Sequence, residues 1–287
     1  MIKYLFLTIV TAIGLLSTTA SVRVRPAAPS QVDGPKNFVP PRVFQAAGPN
    51  AASIQSTVDA FRAALGTPNN GNAAGPLGGG RREINWDGGN VNNQTTAVAG
   101  NPFAGFQITR GALFTTPDGD GFVQAPASAD PVLFPPGGMA GLFHNPTYAT
   151  TFAAFSQQRL FSAIGGRITD VAFFVPGGNG PATTTGFGAV FTDVDQPDGS
   201  GPGKKHGNRG ASTRIEYFDD EGKELFSSFV PASPGNASQS FLGIVFDDAR
   251  IAAVRITSGD DAPGPDDGEK DIVMMDDFIY GEPQPLP

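Results

Sequence analysis

Glycine and proline set the first limit on this chain. With Gly 38 and Pro 26 among 287 residues, most apolar stretches are cut before they could extend into a long helix. Proline removes a backbone donor, and glycine weakens any regular element it interrupts. Phe 23 against Trp 1 and Tyr 4 makes phenylalanine the main bulky core residue. Many short strands joined by loops give that profile; the length allows one large or two small domains, and a hydrophobic content of 39% is enough for a substantial core.

The second half carries the clearest strand patterns. In "RITDVAFFVPG", Val171, Phe173 and Val175 share one face and Ala172 and Phe174 the other. "TTTGFGAVFTDVD" reads as a strand whose glycines imply close backbone approach or a bulge. "STRIEYFDDEGKELFSSFVP" reads as a hairpin, with Ile215 and Tyr217 before a turn at Asp219 to Gly222 and Leu225 and Phe229 after it. "SFLGIVFDDARIAAVRITSG" has the same form, with strands over 241–246 and 251–256 around Asp247 and Asp248. A strand over 272–280 in "KDIVMMDDFIYG" closes the set. Earlier, "RREINWDGG" places Ile84 and Trp86 opposite Glu83, Asn85 and Asp87, and short strand candidates follow at 106–109, 112–115 and 122–124.

With no helices alternating between these strands, the expected fold is a mostly β, antiparallel β-sandwich of jelly-roll or Greek-key type; a closed barrel is the alternative. One short N-terminal amphipathic helix precedes it. "SIQSTVDAFRAALG" spaces Ile54, Val58, Phe61 and Leu65 along one face, with Ser53 as N-cap and Gly66 as stop. This helix is expected to dock on the edge or end of a sheet. In a jelly-roll the first and last strands can lie side by side, which would bring Glu83 and Asp87 near Asp276 and Asp277.

The expected organisation is a signal peptide over 1–20, an extended lead segment over 21–50, the helix and a glycine-rich loop over 51–80, the sandwich over 81–281 and a tail over 282–287. "MIKYLFLTIVTAIGLLSTTA" has Lys3, an apolar run from Tyr4 to Leu16 and small residues before a cleavage point near Ala20. That run, about thirteen residues, falls short of the roughly 20 a bilayer requires, so the mature chain is expected to have no membrane span and to be secreted or periplasmic. A net charge of -8 and a pI near 4.7 oppose the phosphate attraction on which nucleic-acid binding depends. Cys 0 excludes disulfides, thiolate metal sites and a cysteine nucleophile, and points to a bacterial source.

Paired aspartates recur along the chain. Most sit where turns are expected, because aspartate caps turns with its own side chain. Asp276 and Asp277 differ, since they interrupt an apolar strand where β propensity disfavours aspartate and burial demands a partner. One of them should point inward or toward a sheet end. An arginine (Arg81, Arg82 or Arg167) and a structural calcium ion are both open as that partner, since calcium takes six to eight oxygen ligands from carboxylates and carbonyls. The candidate metal ligands are Asp276, Asp277, Asp193, Asp195, Glu83 and Asp87. Candidate ligand-binding residues are Trp86, as a surface for a sugar ring, though its alternation with Ile84 favours a core position, and the basic island Lys204, Lys205, His206 and Arg209. No catalytic residue is assigned. His144 and His206 stand in no H-E-x-x-H arrangement, and there is no G-x-S-x-G elbow.

Taken in order, "RREINWDGG", "RITDVAFFVPG", "GFGAVFTDVD", "IEYFDDEGKELF", "FLGIVFDDARIAAVRITSG" and "MMDDFIYGEP" resemble a group of uncharacterised exported bacterial proteins. Over roughly residues 80 to 281 the chain is similar to the jelly-roll module of proteins that carry a PEP-type C-terminal sorting signal. Such proteins continue past "YGEP" into an apolar helix and arginines, whereas this sequence stops at Pro287, which favours release or periplasmic residence. The resemblance extends to galactose-binding-like and carbohydrate-binding modules and implies a calcium ion between the terminal strands, with Asp276 or Asp277 as ligand. The expected function is a secreted, non-catalytic β-sandwich module that binds an extracellular glycan. A carbohydrate-active hydrolase or lyase using carboxylates and a structural matrix or surface component are the alternatives.

Overall fold

The structure, a computed structural model, describes residues 39–88, 95–129, 137–197, 213–265 and 270–286. The elements are β1 (Arg42–Gly48), α1 (Ala51–Leu65), β2 (Arg81–Ile84), β3 (Ala97–Gly100), α2 (Gln107–Arg110), β4 (Ala112–Thr115), β5 (Gly121–Pro126), α3 (Gly138–Leu142) and α4 (Tyr148–Thr151). There follow β6 (Arg159–Ile164), β7 (Ile168–Phe173), β8 (Ala182–Thr183), β9 (Gly186–Thr192), β10 (Arg214–Phe218), β11 (Glu224–Phe229), β12 (Gln239–Val245), β13 (Ala253–Thr257), β14 (Met274–Gly281) and β15 (Gln284–Pro285).

Two antiparallel sheets pack face to face as a β-sandwich. The larger has 8 strands in the order β1-β12-β9-β14-β6-β5-β3, with β2 also paired to β14; the smaller has 5, in the order β11-β10-β13-β7-β4. The chain changes sheet at most steps, which produces the jelly-roll character. Phenylalanine fills the space between the sheets, with Phe114, Phe122, Phe161, Phe173, Phe187, Phe191 and Phe278 all buried there.

Several local expectations shift. The stretch 106–109 is not a strand but leads into the helical turn α2, ended by Gly111 in the left-handed region. The two strands of "SFLGIVFDDARIAAVRIT" do not form a hairpin, because β12 belongs to the large sheet and β13 to the small one. The lead segment supplies β1, which pairs with β12 along its whole length. The tail supplies β15, paired with β8.

Helix α1 forms as its spacing dictates, with Ile54, Val58, Phe61 and Leu65 buried and Gly66 as C-cap. Asn50, not Ser53, is the N-cap; its side chain accepts the Ser53 N–H. The helix lies on the outer face of the large sheet rather than at an edge, packed with Val190, Phe241, Val245 and Ile279. Gly188 and Gly243, paired across β9 and β12, make that approach possible. A Cβ on either would meet the Phe61 ring at 2.8–2.9 Å, so the absence of side chains there seats the ring directly on the sheet. A second apolar patch covers the same face further along. Met139 and Phe143 of the α3 region, Tyr148 and Phe152 pack on Val123, Leu160, Ile272 and Met274.

Candidate functional site

β14 runs through the centre of the large sheet and changes partner halfway. Its C-terminal part pairs with β2, from Phe278↔Ile84 to Gly281↔Arg81, while Met275 pairs with Phe161 of β6. On its other side the register with β9 slips between Met275↔Phe191 and Phe278↔Ala189. Two residues, Asp276 and Asp277, therefore stand against one, which is a β-bulge.

The bulge decides where the two aspartates point. Before it Val273 and Met275 face the sandwich interior; after it Phe278 and Tyr280 do. Ile272, Met274 and Ile279 face outward. The extra residue thus lets both Asp276 and Asp277 turn to the outer side, in the seam between the patch under α1 and the patch under α3 and α4. Neither enters the sandwich interior, so of the two expected directions, inward or toward a sheet end, the inward one is not taken.

Both are nevertheless buried, at 0% and 2% exposure. Asp276 Oδ2 accepts the N–H groups of Phe155 at 2.5 Å and Ser156 at 3.3 Å. Asp277 Oδ1 accepts the Ser156 hydroxyl at 2.5 Å, and its Oδ2 accepts Arg62 Nη2 at 3.0 Å. The same Arg62 holds Glu83 Oε2 at 3.0 Å, and Arg81 Nε holds Glu83 Oε1 at 2.6 Å. Asp87 accepts the N–H groups of Gln158 and Arg159. Burial, and next the charge of Asp277, push the Asp276 carboxyl well above the usual carboxylate range, against the N–H groups of Phe155 and Ser156. Burial raises Asp277 as well, opposed by the Ser156 hydroxyl and Arg62.

The adjacency of Glu83 and Asp87 to the β14 pair follows from the β2–β14 pairing, although β2 is not the first strand: β1 precedes it and pairs with β12. The arginine is Arg62 of α1. Arg81 serves Glu83, Arg82 is buried against Glu282 through two contacts of 2.7 and 2.8 Å, and Arg167 donates to Gly259 O. No spacing in the sequence links Arg62 to Asp277, 215 residues further on, and Ser156 follows no pattern at all. The donor set does not fit calcium at the β14 pair, because its carboxylate oxygens already meet N–H, O–H and guanidinium hydrogens. Among the described residues, no group of three or more His, Cys, Asp or Glu side chains could hold a metal ion.

Asp193 and Asp195 lie apart from this seam. Asp195 accepts the Gly235 N–H, and its own N–H, with that of Gln196, points to Asp271. Burial raises Asp271 to about 6. Asp193, buried and in the left-handed region, precedes this group. Trp86 is 1% exposed and cannot stack on a sugar. Its ring stacks on Phe161 at 3.8 Å, and its Nε1 donates to the Asp276 carbonyl at 2.8 Å. Lys204, Lys205, His206 and Arg209 lie outside the described residues. Pro197, the last described residue before them, lines a hollow of about 420 Å³ with Gln45, Arg214 and Phe229.

The outer face of the small sheet offers a different setting. Its side chains alternate between buried and half-buried along β7, β10 and β13. Glu216, Arg255, Asp170 and Thr115 form one row across the strands, and Phe218, Ala253, Ala172 and Leu113 the next. Arg255 and Asp170 make a two-pronged ion pair, with both contacts at 2.7 Å, and Arg214 bonds Glu216. These two rows border a depression of about 470 Å³, with Asp219 and Asp220 at its rim. Sequence patterning marked these strands but gave no reason to single out their solvent side.

Comparison with known proteins yields no match: no family, no curated protein and no solved structure is similar to this chain at a significant level. Among the described residues, no helix is long and apolar enough to cross a membrane.

Proposed function

We propose that this protein is a non-catalytic binding module of the extracytoplasmic space that takes an extended glycan across the outer face of its small sheet. The observation that carries this reading is the depression bordered by Leu113, Ala172, Phe218 and Ala253 on one side and by the Arg255–Asp170 pair on the other. A sugar ring has an apolar C–H face and a polar hydroxyl edge. An apolar floor beside a planar, two-pronged donor and acceptor matches both. The β14 carboxylates, closed off beneath α1, offer no access to a substrate. The proposal includes no structural calcium ion, since N–H, O–H and guanidinium donors occupy the place a cation would need beside Asp276 and Asp277.

Binding of the mature protein to a panel of neutral, acidic and amino-bearing polysaccharides tests the proposal. Retention that weakens at least tenfold in Phe218→Ala and Arg255→Ala is the expected result; no retention on any polysaccharide overturns it. Release of soluble sugar that stops on Asp170→Asn would replace binding with hydrolysis or lysis. Self-assembly without glycan binding would favour a structural component. Unfolding midpoints measured with calcium and with chelator should coincide.

A further inference from the structure

The seam under α1 contains more acid than base. Its carboxyls are Asp276 and Asp277 from β14, with Glu83 of β2 and Asp87 just beyond it; its guanidiniums are Arg62 of α1, Arg81 of β2 and Arg159 of β6. Four carboxyls thus face three guanidiniums. Asp59 of α1 reaches Arg62 from the solvent side and is more than half exposed. The segment 152–158, which closes the seam from above, brings no titratable side chain, and Val190 of β9, opposite the bulge, brings none either. A fourth negative charge would lie buried without a counterion, which is strongly unfavourable. The geometry shows how it is avoided. Of the two β14 carboxyls Arg62 meets Asp277, and the single Ser156 hydroxyl lies between them, 2.5 Å from Asp277 Oδ1 and 3.5 Å from Asp276 Oδ1, so a proton on Asp276 leaves one charge for the one guanidinium.

We propose that Asp276 and Asp277 hold a single proton between them in the folded protein, and that this proton locks α1 onto the large sheet. Asp277 has Arg62 as counterion, so the proton resides on Asp276. Its loss would place two adjacent negative charges beneath the helix, and only water entering between α1, the 155–156 backbone and β14 could relieve them. The upward displacement of both carboxyls by burial acts in the same sense. Because the folded form holds the proton more tightly than the unfolded chain, stability falls as pH rises from about 4, the ordinary carboxyl value, through the value in the folded state. The helix is therefore held most firmly in acid and loosens in alkali.

Infrared spectroscopy of the wild-type protein at about pH 8, where an ordinary carboxyl is ionised, should show a protonated carboxyl absorption that is absent from Asp276→Asn. Asparagine mimics the protonated acid, so that variant should also melt at least about 4 °C higher than wild type at the same pH and show a flatter fall of midpoint with pH. Amide exchange of 54–65 should quicken with alkali, beyond its intrinsic pH dependence, in wild type only. If Asp276→Asn does not fold, the wild-type spectrum still decides. A spectrum without a protonated carboxyl, or a folded variant with an unchanged pH slope, would overturn the proposal.

Discussion

The two sheets turn their outer faces to different surroundings, and their strands differ accordingly. In the large sheet β9, β12 and β14 are buried at every position, since α1 and the α3–α4 segment cover the face opposite the sandwich interior. In the small sheet β7, β10 and β13 alternate buried and half-buried residues. A strand covered on both sides needs small or apolar residues throughout, while a strand covered on one side can carry Glu216, Arg255 and Asp170 on the other. The comparison teaches that polar residues mean different things on the two sheets. On the small sheet they are ordinary and available to a ligand. On the large sheet they are exceptional, and each needs its own partners.

The sharpest way to break this comparison is to uncover the large sheet. Phe61→Ala should lower stability by about 3–5 kcal/mol, because the ring fills the space over Gly188 and Gly243 and meets Phe44 and Phe241 edge-on; denaturant unfolding would measure it. A loss below about 1 kcal/mol would mean the helix is dispensable cover. Gly243→Ala approaches the same contact from below. Its methyl group would displace the ring, for an expected loss of about 1–3 kcal/mol.

A third test separates the α1 seam from the rest of the molecule by pH. The Asp271 carboxyl, raised by burial to about 6, lies outside the seam. A raised carboxyl favours folding while protonated, so this group's contribution is lost as pH climbs from about 4 to its folded value. Asp271→Asn should flatten the pH dependence of the melting midpoint in that window and leave any fall at higher pH in place. The smallest stability effect is expected on the open face. Arg255 and Asp170 are 41% and 27% exposed, so Arg255→Ala should change stability by less than about 1 kcal/mol while it weakens glycan retention. A large loss of stability there would show the face to be structural after all.

Much of the sandwich was legible because its patterns are local. The face of α1, the strand over 112–115 and the β10–β11 hairpin follow from side-chain spacing and turn residues alone. The glycines of β9 announced a close approach, though not that Phe61 was the visitor. The assignment of β12 and β13 to different sheets was not legible, since a strand pair joined by a short turn and one joined by a crossover look alike in sequence. The site divides the same way. The neighbourhood of Glu83 and the β14 pair could be inferred from topology, but the outward turn of both aspartates depends on a one-residue slip against β9. The core position of Trp86 was legible in its alternation with Ile84, but its stacking partner Phe161 was not, since the two lie far apart in the chain.

The place of β14 also constrains how the molecule can be made. It joins β1, β12 and β9 on one side to β2, β6, β5 and β3 on the other, and it emerges from the ribosome after every one of them. Until then the strands on either side have no β14 edge to pair with, and Trp86 lacks both Phe278 and the carbonyl of Asp276. Assembly of the large sheet thus waits for a strand near the C-terminal end of the described residues: without β14 its two groups of strands have no common partner.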